Sequence, residues 1–272
     1  MISNELHGRC ERLRSLHVRG EPLVLPNAWD VASAIAVVDA GFPVVATTSA
    51  GVAAAIGYED HEEAPAQQML AVAARIAKSV DVPVTVDAES GYGLGARDLV
   101  AALSEAGAAG CNIEDTDHER SELRDVRDQA ESLRAIREAA SADGYPLVIN
   151  ARIDVFLPGV RAGSDESEEA LVGGALERAR AYLDAGADCV YPIALWERGA
   201  LERLVADTPG PVNVLRIPPA PSFVEMAALG VARVSYGGLL HHDVMEKFAR
   251  ELEAISSNVE GLSEHRRQRG AQ

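Results

Sequence analysis

The chain has 272 residues and a formal net charge of −17, with 47 % hydrophobic but only 4 % aromatic residues. That charge argues against nucleic acid or an anionic membrane as partner, since a polyanion needs a concentrated basic surface; a small anion remains possible where a bound cation or a placed arginine reverses the local potential. A core of Ala, Val, Leu and Ile favours α/β layering over a β-sandwich, and the length suits a single β/α barrel of about 250 residues.

The amino-terminal 1–20 read as a helix, without the apolar stretch of a signal peptide, and no apolar run reaches the length of a membrane span. Cys10, Cys111 and Cys189 are widely spaced and form neither a metal clip nor a redox pair, which fits a reduced, cytoplasmic setting. Short Val- and Ile-rich runs then alternate with helical segments: Leu23 to Pro26, Val44 to Thr48, Val82 to Ala88, Gly110 to Glu114, Leu147 to Ala151, Cys189 to Ile193, Val212 to Ile217 and Arg233 to Tyr236. Glycine-terminated stops at Asp39-Ala40-Gly41, Glu105-Ala106-Gly107, Asp184-Ala185-Gly186 and Leu229-Gly230 precede strands and make a quasi-repeat of the β/α unit. The absence of an early glycine-rich phosphate fingerprint favours closure into a single (β/α)8 TIM-type barrel over 1–272. Three stretches depart from the pattern: the charged Asp115 to Asp128 reads as an extended mobile loop, Pro158 to Glu169 as a polar insertion, and 263–272 as a frayed tail.

Reactive groups in such barrels gather at the carboxyl ends of the strands. The third run ends in Asp87-Ala88-Glu89, whose alternation points Asp87 and Glu89 the same way, and its neighbour ends in Glu114-Asp115. Carboxylates crowded in this way repel unless they share a cation, and Mg²⁺, or Mn²⁺ in its place, suits an all-oxygen site. Arg152, closing the fifth run beside Asp154, either forks onto a substrate carboxylate or pairs structurally with Asp154 or Glu114. Ser49, Ala50 and Gly51 form a small-residue turn with main-chain donors for a carboxylate. Asp60 has no evident helix to cap, whereas Asp30 reads as the cap of a helix starting at Val31. His241 and His242 diverge by about 100° on a helix, so they read as surface or interface residues rather than a ligand pair.

In chain order, Pro26-Asn27-Ala28-Trp29-Asp30, Thr48-Ser49-Ala50-Gly51, Gly57-Tyr58-Glu59-Asp60, Asp87-Ala88-Glu89-Ser90-Gly91-Tyr92-Gly93, Asn112-Ile113-Glu114-Asp115 and Ala151-Arg152-Ile153-Asp154 resemble the isocitrate lyase and phosphoenolpyruvate mutase superfamily. The resemblance implies a Mg²⁺-dependent enzyme working through a metal-stabilised enolate. It casts Asp87 as direct metal ligand, with Glu89 and Glu114 ligating directly or through water. Ser49, Ala50, Gly51 and Arg152 would hold the substrate carboxylate, and Asp60 would sit beside metal and substrate. It also implies a homo-oligomer, a dimer of dimers that exchange their last barrel helix, here about His242 to Ile255.

The departures concern the reaction. Where the lyases carry Lys-Arg-Cys-Gly-His, this chain reads Asp115-Thr116-Asp117-His118-Glu119-Arg120, which leaves His118 as the available proton carrier. Glu89 stands where the family usually has Asp, and Asn213-Val214-Leu215-Arg216-Ile217-Pro218 resembles a less characterised branch. The expected activity is cleavage or decarboxylation of a small, oxaloacetate-like 2-oxo acid. Alternatives are P–C bond chemistry on a phosphonate, or metal-dependent oxo-acid binding without turnover.

Overall fold

The structure, a computed structural model, describes residues 2–157 and 167–270. Each of the eight expected runs forms a strand, with ends within two residues of those expected: β1 (Leu23–Leu25), β3 (Val45–Thr47), β4 (Val84–Asp87), β5 (Gly110–Glu114), β8 (Val148–Ile153), β9 (Cys189–Pro192), β10 (Asn213–Leu215) and β11 (Arg233–Ser235). Pairing is parallel in the orders β2-β3-β4-β5-β8-β9 and β1-β11-β10, where β2 is Asn27–Ala28. Two links close these into one ring. β1 and β2 are one strand interrupted at Pro26, which has no N–H to give to a ladder. Val190 of β9 bridges Val212, and its amide donates to the Pro211 carbonyl at 3.0 Å. The result is an α/β barrel with strands in chain order.

The helices lie between strands: α2 (Val31–Asp39), α3 (Ser49–Ile56), α4 (Ala66–Ser79), α5 (Ala96–Ala106), α6 (Val126–Ala142), α7 (Glu168–Asp184), α8 (Arg198–Asp207) and α9 (Phe223–Leu229). α4 and α5 show why these segments are helices: Leu70, Ala73, Ile76 and Ala77, and Leu99, Val100, Leu103 and Ala106, recur at three- and four-residue spacing and are buried. Asp30 caps α2 in a reciprocal box with Ser33. The expected glycine stops adopt the left-handed conformation, as at Gly107 (φ 75°) and Gly186 (φ 104°). Ahead of the barrel, α1 (Asn4–Ser15) packs Leu13 so closely on Gly110 that a Cβ there would lie 2.8 Å from the leucine. Asp188 accepts from Arg14 Nε at 2.9 Å, Arg137 Nη2 at 2.6 Å and the Ile149 amide at 2.8 Å, tying α1, α6 and β8 together.

Three expectations change. The segment 115–128 is a folded hairpin, not an extended loop: β6 (Thr116–Asp117) pairs antiparallel with β7 (Glu122–Leu123), and Asp125 caps α6. Its first charge is buried, since Asp115 accepts from Arg178 Nη1 at 2.9 Å and Tyr182 Oη at 2.7 Å, while Glu119, Arg120 and Glu122 at the turn stay exposed. The tail is not frayed through Gly270, because α10 runs unbroken over Leu239–Gly270, a stretch free of proline and rich in good helix formers. Of the insertion expected over Pro158 to Glu169, 158–166 lie outside the described residues, while Ser167 caps α7 through the Ala170 amide. No described helix is long and apolar enough to cross a membrane.

Candidate active site

The carboxyl ends of the strands open on a cavity of about 340 Å³ bordered by Ser49, Ala50, Asp60, Asp87, Asn112 and Arg152 on one side. Asp87, the last residue of β4, is held by one oxygen: Oδ2 accepts the Ser49 amide at 3.0 Å, while Oδ1 is buried without a hydrogen-bond partner. Burial raises its pKa against the opposing pull of Arg152 and the Ser49 amide, and the Asp60 charge adds to the rise. Asp60, in the loop after α3, likewise has a buried Oδ1 without a partner. Two carboxylates that border one cavity thus each keep a buried oxygen without a hydrogen-bond partner.

Arg152 fulfils the structural alternative without leaving the cavity. Nε donates to Asp154 Oδ1 at 2.6 Å and Nη2 to Asp154 Oδ2 at 3.0 Å, while Nη1 pairs with Glu114 Oε2. Each terminal nitrogen keeps a second N–H, and the residue still borders the cavity. Asp154 is itself fixed from behind, as its amide donates to Asp115 Oδ1 at 2.9 Å and Thr116 Oγ1 donates to its Oδ2 at 2.5 Å. A buried chain of charges therefore runs from Arg178 through Asp115 and Asp154 to Arg152.

The expected metal set of Asp87, Glu89 and Glu114 is not assembled: among the described residues no three His, Cys, Asp or Glu side chains are placed to hold one ion. Glu114 is engaged on both oxygens, by Arg152 and by His118 Nε2. Glu89 lies beyond the end of β4 with φ 46°, so strand alternation no longer sets its direction, and its Oε2 accepts the Glu62 amide at 2.6 Å. Burial and the Asp87 and Asp60 charges push Glu89 up to about 8.

The other expected residues divide. Ala50 borders the cavity, but the Ser49 amide is already given to Asp87, and Gly51 lies among Thr48, Trp29 and His241, where a Cβ would meet atoms at 2.8 to 3.3 Å. His118 sits on the hairpin with its pKa raised by the Glu114 hydrogen bond. Its ring lies 5.1 Å from that of His61, and His61 is the one that borders the cavity. His242 also borders the cavity, while His241 packs edge-on against Trp29.

Sequence reading missed His61 and Glu62. Both have positive φ, 69° and 63°, a conformation that costs non-glycine residues about 1–3 kcal/mol and persists where surroundings enforce it. The enforcement is visible: Glu62 Oε1 accepts the Ser90 amide at 3.0 Å, the Ser90 hydroxyl at 2.7 Å and the Tyr92 amide at 2.7 Å. The acidic run around Asp60 was the available signal, but no periodicity in it reports a left-handed turn.

The chain matches the family model described as phosphoenolpyruvate phosphomutase over residues 13–256. It is 34 % identical over 241 residues to an uncharacterised protein of Mycobacterium tuberculosis, covering 89 % of this chain and 87 % of that one. It is 30 % identical over 246 residues to a 2-methylisocitrate lyase of Salmonella typhimurium, covering 85 % and 79 %. The crystal structure of a candidate phosphonomutase from Burkholderia cenocepacia superposes with a TM-score of 0.83 at 41 % identity, covering 90 % of this chain and 99 % of that one. Fold, strand-end carboxylates and family match agree, and the chain belongs to the phosphoenolpyruvate phosphomutase family as a lyase-like enzyme of the isocitrate lyase/phosphoenolpyruvate mutase superfamily.

Proposed function

We propose that this protein is a divalent-metal-dependent lyase that breaks a C–C bond beside the 2-oxo group of a small oxo-acid, sharing the head group of oxaloacetate. The observation that carries this reading is the pair of partnerless buried oxygens, Asp87 Oδ1 and Asp60 Oδ1, on a cavity that also holds Arg152. Mg²⁺ takes one or two direct carboxylates and keeps waters that substrate oxygens replace, so this pair fits it although three ligands do not converge. Asp87 and Asp60 would hold the ion, with Glu89 and Glu114 outside its direct shell. When bound, the cation supplies Lewis-acid stabilisation of charge on the 2-oxo oxygen.

The chain's own part is binding and proton handling. Arg152 offers its remaining N–H groups to the substrate carboxylate, held in place by Asp154 and Glu114. The bond that would break is the one from C3, the carbon next to the 2-oxo group, to its substituent: the electron pair passes to C3, which takes a proton, and the substituent leaves as CO2 or a carbonyl compound. His61 borders the cavity whereas His118 Nε2 is occupied by Glu114, so in this reading the role expected of His118 passes to His61. No thiol serves: Cys10, Cys111 and Cys189 are buried and pushed up to about 12.

The test is thermal stabilisation by oxalate with and without Mg²⁺, then product release from a panel of oxo-acids, 2-methylisocitrate and phosphonopyruvate. Metal-dependent stabilisation with turnover of an oxo-acid is expected. Turnover of phosphonopyruvate alone would favour P–C chemistry, and stabilisation without any turnover would favour a binding protein. We further propose that a second copy of this chain covers α10. Val244, Met245, Phe248, Leu252 and Ile255 are each about half exposed, along a helix whose side chains from His242 through Ser257 all face solvent.

A further inference from the structure

Beneath the cavity the barrel interior is polar. Thr85, Asn150, Asn213 and Arg233 each stand two residues before a cavity residue on the same strand, namely Asp87, Arg152, Leu215 and Ser235, so strand alternation turns them inward below it. All four are buried, at a level where β/α barrels ordinarily pack branched aliphatic side chains. Arg233 makes no ion pair among the described residues, and its Nε and Nη1 are buried without a hydrogen-bond partner. Burial lowers its pKa, and the Asp87 charge is among those that oppose the shift.

The one hydrogen bond that Arg233 does make reaches the cavity wall. Nη2 crosses the interior from β11 to β5, on the far side of the ring, and donates to Asn112 Oδ1 at 3.1 Å. Asn150 Nδ2 donates to the same oxygen at 2.9 Å. A guanidinium carries donors only, so the carboxamide atom that it touches must be the oxygen, and the sense of the Asn112 amide is thereby fixed. Nδ2 is left with two N–H groups and no partner among the described residues. Asn112 is 8 % exposed, borders the cavity and pairs in register with Asp87 on β4. A buried donor beside the carboxylate whose own Oδ1 lacks a partner is completed by an oxygen brought into the cavity.

We propose that Asn112 is a substrate-binding residue, its Nδ2 donating to an oxygen of the oxo-acid head, and that Arg233 is the positioning residue that holds the carboxamide in this sense. This rests on the oxo-acid reading above and deepens it. A neutral amide adds a hydrogen bond to the substrate oxygen without competing with a cation for Asp87 and Asp60, as an ammonium at the same place would.

The experiment is titration calorimetry with oxalate at saturating Mg²⁺ on the full chain, its Asn112→Leu and Arg233→Met variants and the double variant, with unfolding in chelator to read the structural share separately. Asn112→Leu should lower oxalate affinity at least about tenfold, the worth of a hydrogen bond to a charged ligand, while Mg²⁺ alone binds as to the wild type. Arg233→Met should lower it by about threefold or more, as the competent amide orientation becomes one of several. The double variant should bind oxalate no more weakly than Asn112→Leu, because Arg233 acts through Asn112. Should Asn112→Leu fold poorly, Asn112→Asp keeps an oxygen toward Arg233 and Asn150 and removes the donor, and it should show the same loss. Oxalate affinity within about twofold of wild type in the Asn112 variants would make that residue a packing partner of Arg233 and overturn the proposal, with the oxo-acid reading intact. Additive losses in the double variant would overturn the role of Arg233. If the wild type itself fails to bind oxalate with Mg²⁺, both the proposal and the reading beneath it are overturned.

Discussion

Arg152 and Asp154 meet fork to fork at the end of β8, with Nε to Oδ1 at 2.6 Å and Nη2 to Oδ2 at 3.0 Å, on a carboxylate that is wholly buried. Two coplanar bonds to one carboxylate are a geometry that an ammonium cannot reproduce. Arg152→Lys should therefore lower folding stability by about 2 kcal/mol or more, since Asp154 is left buried and underpaired. It should also weaken oxalate binding in the protein that remains folded. Denaturant unfolding reads the first effect and calorimetry the second; wild-type stability in the variant would mean that the fork carries no structural weight.

Asp87→Asn separates the metal site from the fold. The amide oxygen can still accept the Ser49 N–H, and the desolvated charge is gone. Stability in chelator should stay level or rise by about 1 kcal/mol, while the Mg²⁺-dependent stabilisation by oxalate disappears. Retention of that stabilisation would show that Asp87 is not a ligand.

The acidic cluster predicts a pH dependence of the metal-free protein. Glu89 in the folded state titrates at about 8 against an ordinary 4.5, so the folded chain holds the proton more tightly than the unfolded one. The resulting stability is fully present below about 4.5 and is lost as pH rises through about 8, by up to a few kcal/mol. Unfolding in chelator between pH 5 and 9 should show the decline, and Glu89→Gln should remove much of it. An identical slope in the variant would place its origin elsewhere.

Far from the cavity, Asp188→Asn should cost about 1–2 kcal/mol, because Arg14 and Arg137 lose a shared and partly exposed partner. Oxalate affinity should not move. A matching loss of affinity would tie the brace under the barrel to the site above it.

Phe248→Glu with Leu252→Glu on α10 should reduce the assembly to a smaller species in light scattering, by placing two charges on each covered face. A wild-type chain that is monomeric at micromolar concentration would remove the proposal that a second copy covers this helix.

What the sequence determined by itself is what local periodicity and glycine stops encode: eight strands in order, the helices between them, the Asp30 cap, and the ring position of Asp87, Glu114 and Arg152. Those follow from side-chain alternation and helix termination, which act over a few residues. Only the tertiary structure decided what each charge does. Glu114 and Asp115 adjoin in sequence, yet one faces Arg152 and His118 while the other is drawn outward to Arg178 and Tyr182 on α7. Glu89 leaves the expected metal set because its backbone turns left-handed and is clasped by Glu62, a contact 27 residues away in the chain. The hairpin at 116–123 looked like an extended loop because its charges hide the backbone pairing of Thr116 with Leu123, which only the fold brings about, together with the His118 to Glu114 contact back to the barrel. The far wall of the cavity was equally hidden, since Tyr191, Ile193, Leu215 and Ser235 lie far from Asp87 in the chain until closure of the ring sets them across from it.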